Sequence, residues 1–302
     1  MHRKHLCFAD EAEKKAFVLA CEADFEDRID QAIATVMQAP ELRLLTVSGP
    51  TCSGKTTMAN KLIREFEERG KKVHVISLDD FYHEREFLVS RAAARGEALD
   101  LDSEDTIDLP TLAAAIEAIF EGNQVTLPVF DFTKGSRTGE TVLHLDERDV
   151  FIFEGIQAVY PSVTQLFGTH PVASVFIWVG EDLEQNGQVF PKHEVRFFRR
   201  LVRDHLFRSA TPEFTFKIWE SVRRNEERLI LPFSDKCTVT LSSLMPYEMA
   251  MLKPYLMPLL SAIEPNSPFF EEAERMRSKL MELPEISAAY LPQISVYHEF
   301  LG

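Results

Sequence analysis

The sequence is poor in the features that mark secreted, membrane-bound and nucleic-acid-binding proteins. Its four cysteines form no C-x-x-C pair, which argues against a disulfide framework and a zinc site. No apolar run approaches the roughly 20 residues that span a bilayer, and the start lacks the apolar core of a secretory signal. With 33 Lys+Arg against 48 Asp+Glu, the net charge of −15 offers no general attraction for nucleic acid or an anionic membrane. We expect a cytoplasmic protein that binds neither nucleic acid nor a membrane. Whether it forms a homo-oligomer stays open.

The hydrophobic pattern predicts alternating strands and helices. Compact apolar runs rich in β-branched and aromatic residues predict buried strands, and apolar residues three and four positions apart predict helices. The strands are expected near 42–48, 73–78, 149–155, 173–180 and 237–243, and the helices near 54–69, 110–120, 193–208, 213–229 and 246–263. Such alternation favours right-handed crossovers. The predicted fold class is therefore α/β, with a mostly parallel central sheet flanked by helices.

Two terminal segments lie outside this alternation. Residues 1–40 contain an amphipathic helix, and residues 264–302 are rich in proline and acidic side chains. We therefore divide the chain into an N-terminal helical extension (1–40), a central domain (41–263) and a C-terminal helical tail (264–302).

The strongest motif is G-x-x-x-x-G-K-[ST], the sequence of a phosphate loop, between the first strand and the helix after it. Glycines let backbone N–H groups turn inward around phosphates, and the positive end of the following helix adds to the attraction. Lys55 would reach the outer phosphates, and the Thr56 hydroxyl would bind Mg²⁺. The phosphate loop consists of Gly49, Pro50, Thr51, Cys52, Ser53, Gly54, Lys55 and Thr56.

A phosphate loop alone leaves the reaction open. GTPases need an N-K-x-D motif, and the only Asn-Lys pair here lies inside the first helix without the aspartate. Protein kinases need H-R-D followed by D-F-G, which the chain lacks. Small-molecule kinases and ATPases remain.

Acidic residues follow two of the predicted strands. Asp79 and Asp80 come after the second strand, and Glu154 ends the third. Ligands bind at the carboxyl ends of strands in open α/β sheets, where a carboxylate can hold Mg²⁺ or accept the proton of an attacking hydroxyl. Each could instead cap a helix. A further acidic cluster at 100–108, which includes Asp102, predicts either a solvated loop or a grip on vicinal sugar hydroxyls.

A basic stripe runs along the helix predicted at 193–208. Four of its arginines share one face at i, i+3, i+4 and i+7, and a fifth follows: Arg196, Arg199, Arg200, Arg203 and Arg208. A mobile helix with this stripe could close over ATP and neutralise the transferring phosphoryl group. The alternative is a surface helix whose arginines pair with carboxylates such as Glu194 and Asp204.

The ordered motifs resemble the uridine kinase/phosphoribulokinase family, and most closely its uridine kinase branch. They are GPTCSGKTT, SLDDFYH, DLDSEDTID, PVFDFTKGSR, FEGI and RFFRRLVRDHLFR, and the likeness runs from about residue 44 to 263. The resemblance implies a P-loop NTPase fold with a helical lid. It also implies an ATP- and Mg²⁺-dependent kinase that transfers the γ-phosphoryl group to a hydroxyl of a nucleoside.

The same resemblance implies roles for individual residues. Asp79 matches the family's catalytic acid, which accepts the proton of the sugar 5′-hydroxyl, and Lys55 and Arg203 act on the transferred phosphoryl group. Thr56 and Glu154 would hold Mg²⁺. The remaining expected residues are Thr57, Arg203 and Arg208 on the ATP phosphates, and Tyr82, Asp102, Arg137 and Arg200 on the acceptor.

The sequence departs from uridine kinases where they read the pyrimidine. Phe130 stands in place of a tyrosine and Gly135 in place of a histidine, and the lid lacks the second arginine of the usual Arg-Gly-Arg. The identity of the acceptor is therefore open. One alternative is another small alcohol, such as a pantothenate-like metabolite or a sugar phosphate, for which Arg137, Arg196 and Arg199 could supply cations. Another is a regulator that binds ATP without transferring phosphate.

Overall fold

Five parallel strands form the central sheet of the computed structural model, which describes residues 4–39, 42–97, 99–100 and 103–302. The strands are β1 (Leu44–Ser48), β2 (Lys72–Ser77), β3 (Gln124–Asp131), β4 (Ser136–His144), β5 (Asp149–Glu154), β6 (Val172–Trp178), β7 (Leu183–Gln185), β8 (Gln188–Phe190) and β9 (Val239–Ser242). The sheet order is β2-β5-β1-β6-β9, and the pairs β3-β4 and β7-β8 form separate antiparallel hairpins. The predicted parallel α/β fold is confirmed.

Helices connect the strands and cover the sheet. They are α1 (Glu11–Val36), α2 (Lys55–Glu68), α3 (Arg85–Arg95), α4 (Leu109–Glu121), α5 (Pro161–Thr164), α6 (Lys192–Arg208), α7 (Pro212–Leu229), α8 (Glu248–Ser261), α9 (Phe270–Met281) and α10 (His298–Leu301). In the described residues, no helix is both long and apolar enough to cross a membrane.

The sheet has a hydrophobic core on each face because the side chains of its strands alternate. Leu45 and Val47 of β1 join the core that contains α1 and α2, whereas Leu44 joins the core that contains α4. A third core lies among α6, α7, α8 and α9. The five strands therefore position the helices that pack on both faces of the sheet.

The register brings three strand ends to one level. Glu154 at the end of β5 pairs with Val47 of β1 and with Ser77 of β2. Because all three strands run in the same direction, the segments that follow them meet at one edge of the sheet. These segments are the phosphate loop, the turn with Asp79 and the turn after Glu154.

Both chain ends pack on the sheet. Phe25 and Ile29 of α1 share the first core with β1 and β6, and so do Val296, Tyr297 and Phe300 near the C-terminus. The N-terminal extension and the tail therefore share one hydrophobic core with the central domain, and the boundaries at 40 and 264 remain sequence-based predictions.

Candidate active site

A cavity of about 410 Å³ lies at this edge of the sheet. The phosphate loop, the turn after β2, the end of β5, and helices α6 and α7 line it. Ten of the residues expected from the sequence line this cavity: Thr51, Cys52, Lys55, Thr56, Asp79, Tyr82, Glu154, Arg200, Arg203 and Arg208. Residues far apart in the chain thus meet in one place.

The phosphate loop is a tight turn that only glycine permits at two positions. Gly49 has φ +152°, and a Cβ there would lie 1.9 Å from the carbonyl oxygen of Ile177. Gly54 has φ +100°, and a Cβ there would lie 2.6 Å from a methyl carbon of Val296. Helix α2 begins directly after, at Lys55, whose Nζ donates to the Pro50 carbonyl at 3.2 Å. The loop therefore has the curl and the helix N-terminus that phosphate binding needs.

A first buried ion pair is hydrogen-bonded to the backbone of this loop. Arg196 of α6 forms a two-pronged pair with Glu226 of α7, at 2.7 and 2.6 Å. Both partners also bond the backbone of Thr51: the guanidinium donates to its carbonyl at 3.3 Å, and the carboxylate accepts from its N–H at 3.2 Å.

A second buried ion pair is formed by Arg199, which has no exposed surface. It pairs with Glu248 of α8 at 2.5 and 2.9 Å and donates to the carbonyl of Cys52 at 3.2 Å. It also bonds Ser243 and the Tyr297 hydroxyl. Although burial by itself disfavours the charge, the Glu248 carboxylate holds the pKa of Arg199 above its ordinary value. Arg199 therefore joins the loop to α8 and the tail.

The arginine stripe thus divides into two groups with different surroundings. Arg196 and Arg199 are buried in ion pairs, whereas Arg200, Arg203 and Arg208 line the cavity. The two interpretations of the stripe, ion pairing and phosphate contact, apply to different arginines.

The three cavity arginines share one buried carboxylate. Asp204 accepts from Arg200 at 3.0 Å and from Arg203 at 2.7 Å, and Arg208 lies 3.5 Å away. Three cations around a single carboxylate leave a surplus of positive charge facing the cavity. That surplus suits a polyanionic ligand.

Asp79 lies in the short turn after β2, and its carboxylate faces the cavity. Burial raises the pKa of Asp79, against the opposing effects of a hydrogen bond from Gln157 and of the Lys55 charge. A raised pKa brings a carboxylate nearer to the working range of a general base. Its neighbour Asp80 instead accepts the backbone N–H of Phe130 at 3.0 Å and so fixes the β3-β4 hairpin against the turn.

Gln157 is a site residue that the sequence analysis missed. Its Nε2 donates to Asp79 at 2.8 Å and to the Tyr82 hydroxyl at 3.1 Å. Its Oε1 is buried and finds no hydrogen-bond partner within the described residues. Its position three residues after Glu154, at the end of the same strand, could have indicated a site residue. The sequence analysis considered only charged side chains at strand ends, and glutamine is uncharged.

Glu154 and Thr56 provide oxygen atoms close to Lys55. Burial raises the pKa of Glu154, Lys55 opposes the rise, and Asp79 and Glu299 add to it. Over the residues that the structure describes, no three His, Cys, Asp or Glu side chains form a ready-made metal cluster. One carboxylate, one hydroxyl and substrate phosphates are a donor set that fits Mg²⁺.

Aromatic side chains line the part of the cavity beside the β3-β4 hairpin. Tyr82, Phe130 and Phe132 form a cluster with ring centroids 5.0 to 6.0 Å apart. Gly135 lies beside them, against Arg85. We call this part of the cavity the acceptor half.

One expected acceptor residue, Arg137, is not part of this arrangement. Arg137 lies outside the cavity and pairs with Asp108 at 2.8 Å, and Asp102 lies outside the described residues. Thr57 lies on a neighbouring surface, where its hydroxyl donates to Glu299 at 3.4 Å.

The comparisons with known proteins agree with this architecture. The chain is 28% identical over 213 residues to a uridine kinase of Mycoplasma genitalium, which covers 67% of this chain and 90% of the relative. It is 25% identical over 161 residues to a uridine kinase of Lactobacillus helveticus, which covers 53% of this chain and 67% of the relative. The solved structure of the YGR205w protein shares the fold, with a TM-score of 0.50, 18% identity, and coverage of 67% of this chain and 85% of that one.

The family profile described as "Phosphoribulokinase / Uridine kinase family" matches residues 44–248, which is more than half of the chain. This stretch contains the phosphate loop, Asp79, Glu154 and the arginines of α6. The chain therefore belongs to the phosphoribulokinase/uridine kinase family and is a phosphotransferase that acts on a hydroxyl group.

Proposed function

We propose that the protein is an ATP- and Mg²⁺-dependent kinase that transfers the γ-phosphoryl group to a hydroxyl of a nucleoside. The observation that carries this proposal is the position of Asp79, in one cavity with Lys55 of the phosphate loop and with the aromatic acceptor half. The two relatives named as uridine kinases support a nucleoside acceptor.

The donor is held by charge and by backbone amides. The phosphate loop receives the phosphates, Lys55 contacts the outermost ones, and Arg203 and Arg208 approach from α6. When bound by Thr56 and Glu154, Mg²⁺ would neutralise charge on the β- and γ-phosphates. Asp204 fixes the arginines in advance, so little reorganisation is needed as the transition state forms.

The transfer needs one proton acceptor on the acceptor side. The proton of the attacking hydroxyl passes to the Asp79 carboxylate while its oxygen forms a bond to the γ-phosphorus. The bond from that phosphorus to the β–γ bridging oxygen breaks, and ADP leaves. Lys55 and Arg203 stabilise the negative charge that develops on the transferred group.

The acceptor half favours a nucleoside over a sugar phosphate. Tyr82, Phe130 and Phe132 offer aromatic faces to a planar base. A sugar phosphate would need additional cations, and the three arginines that the sequence offered for that purpose, Arg137, Arg196 and Arg199, are each paired with a carboxylate. Arg85, beside Gly135, is the cation that the acceptor half itself offers to such a phosphate.

Release of ADP by the purified protein tests the proposal. We expect nucleosides to stimulate ADP release in the presence of Mg²⁺, and sugar phosphates and pantothenate to leave it near the basal rate. Stimulation only by another alcohol would transfer the assignment to that acceptor. ATP binding without stimulation by any acceptor would favour a regulator.

Replacing Gln157 should change the pH dependence of the reaction. Gln157→Met removes the hydrogen bond that lowers the pKa of Asp79, so this pKa rises further. Because Asp79 must be deprotonated to accept a proton, the acidic limb of the kcat profile should move to higher pH. On the acidic limb, where most molecules have Asp79 protonated, the rate at a given pH should fall by about tenfold, the usual scale for a hydrogen bond to a charged group, while the plateau at higher pH changes little.

The matched control for this variant is Gln165→Met. Gln165 is exposed and lies in the same connection between β5 and β6 as Gln157. Its pH profile should coincide with that of the wild type. An unchanged acidic limb in Gln157→Met, even with a lower rate, would show that Gln157 does not tune Asp79.

A further inference from the structure

A second cavity, of about 290 Å³, adjoins the phosphate loop. Helix α2 forms one wall, including Thr57, Asn60 and Arg64. The tail forms the other wall with Gln293, Ile294, Ser295, His298 and Glu299. Thr56 and Glu299 line both this cavity and the active-site cavity. The two cavities therefore adjoin each other beside the phosphate loop.

The tail segment that forms this wall is fixed in place. Val296, Tyr297 and Phe300 are fully buried, and Val296 packs directly against Gly54 of the phosphate loop. The Tyr297 hydroxyl lies 3.4 Å from the Arg199 guanidinium, and the Ser295 hydroxyl donates to the buried Glu22 of α1. A side chain between these anchors has a well-defined position. The segment also lies beyond residue 248, where the family match ends.

Glu299 is the one acidic side chain that this segment brings to the phosphate site. It is partly exposed, it accepts a hydrogen bond from the Thr57 hydroxyl, and its charge acts on both Glu154 and Arg203. A carboxylate at this position repels phosphates. Hydrogen bonds that it accepts from donor groups of a ligand would offset this repulsion.

The direction of the donor nucleotide follows from the acceptor half of the active-site cavity. The γ-phosphorus must face Asp79 and the acceptor half, so the nucleoside part of the donor must extend away from them. Thr56 and Glu299 line both cavities, and Thr57 lines the second, so the second cavity is the adjoining space into which the nucleoside part can extend. This step rests on the proposed function, because it takes the phosphate loop to hold ATP.

We propose that Glu299 determines specificity for the donor nucleotide by accepting hydrogen bonds from the hydroxyls of its ribose, with the second cavity receiving the nucleoside. An ionised carboxylate accepts two hydrogen bonds at once, which suits a vicinal diol. The Thr57 hydroxyl orients the carboxylate, and the buried anchors around it hold its backbone.

Equilibrium binding of three ligands to the wild type and to Glu299→Ala tests the proposal. The ligands are ATP, 2′,3′-dideoxy-ATP and inorganic tripolyphosphate, each measured by calorimetry with the same Mg²⁺ concentration. ATP should bind about tenfold more weakly to the variant, as expected for a lost hydrogen bond to a charged group. The affinities for dideoxy-ATP and for tripolyphosphate should not fall, because these ligands lack the ribose hydroxyls.

Two further variants separate this result from other causes. Glu299→Gln keeps the shape and a neutral acceptor, so its ATP affinity should fall between those of the wild type and Glu299→Ala. Glu285→Ala removes an exposed glutamate of the same tail, outside both cavities, and should bind all three ligands like the wild type.

Each other outcome overturns the inference. Equal weakening of all three ligands by Glu299→Ala would indicate damage to the phosphate loop, and equal tightening would indicate simple charge repulsion. Unchanged ATP binding would show that the ribose lies elsewhere. A wild-type protein that binds neither ATP nor tripolyphosphate would instead overturn the proposed function itself.

Discussion

Asp79→Asn should lower kcat by about 10³-fold, within the range that a positioned general base contributes. The amide has nearly the shape of the carboxylate and can still accept the hydrogen bond from Gln157, but it cannot take up the proton of the attacking hydroxyl. ATP affinity should be largely unchanged, because Lys55 and the backbone of the phosphate loop remain. Single-turnover kinetics and equilibrium ATP binding measure the two effects separately.

Asp80→Asn is the matched control because it makes the same change one residue away. Its Oδ1 can still accept the N–H of Phe130, so the hairpin should stay in place and most of the turnover should survive. The assignment of Asp79 as the base would be wrong if the two variants lost turnover to the same extent, or if Asp79→Asn stayed within a few fold of the wild type.

Arg199→Leu should lower the free energy of unfolding by about 3–5 kcal/mol, the scale for removing one partner of a buried ion pair. The substitution leaves the fully buried Glu248 carboxylate without its counter-ion. It also removes the guanidinium that donates a hydrogen bond to the carbonyl of Cys52 in the phosphate loop. Urea denaturation followed by circular dichroism gives the change in stability.

The double variant Arg199→Leu/Glu248→Leu separates the buried charge from the position of the loop. Removing both charges should restore much of the lost stability, since apolar residues often replace a buried pair without cost. ATP binding should remain weaker than in the wild type, because nothing then holds the Cys52 carbonyl. A single variant as stable as the wild type would show that the pair does not hold the fold together.

The central strands β1, β5 and β6 could be predicted because each is a compact apolar run that is buried on both faces. The edge strands β2 and β9 are partly exposed, but each still has apolar residues in a short run. The β3-β4 hairpin was not predicted, because β4 is largely exposed with only two apolar residues, Val142 and Leu143, and Pro128 interrupts the apolar run of β3.

The hairpin's place against the turn after β2 depends on contacts between distant residues. The N–H of Phe130 donates to Asp80, 50 positions away, and the ring of Tyr82 packs against Phe130 and Phe132. Local pattern contains no information of that kind.

The arginines of α6 also show the difference between what a local pattern predicts and what contacts between distant segments decide. Their spacing placed four of them on one face, but helical periodicity does not say which neighbours that face meets. Burial against α7 and α8 turned Arg196 and Arg199 into supports of the phosphate loop, and Asp204 gathered the other three at the cavity.

By itself the sequence determined the phosphate loop, the parallel sheet and the carboxylates at the strand ends. These depend on local geometry, namely a glycine-rich turn before a helix and the apolar runs of buried strands. Only the tertiary structure decided what surrounds them. It placed Gln157 on Asp79, divided the arginine stripe, and set Glu299 beside the loop from 242 residues further along the chain than Thr57. The physical reason is that side-chain contacts between distant segments arise when cores pack, and the spacing of residues along one element does not specify its partners.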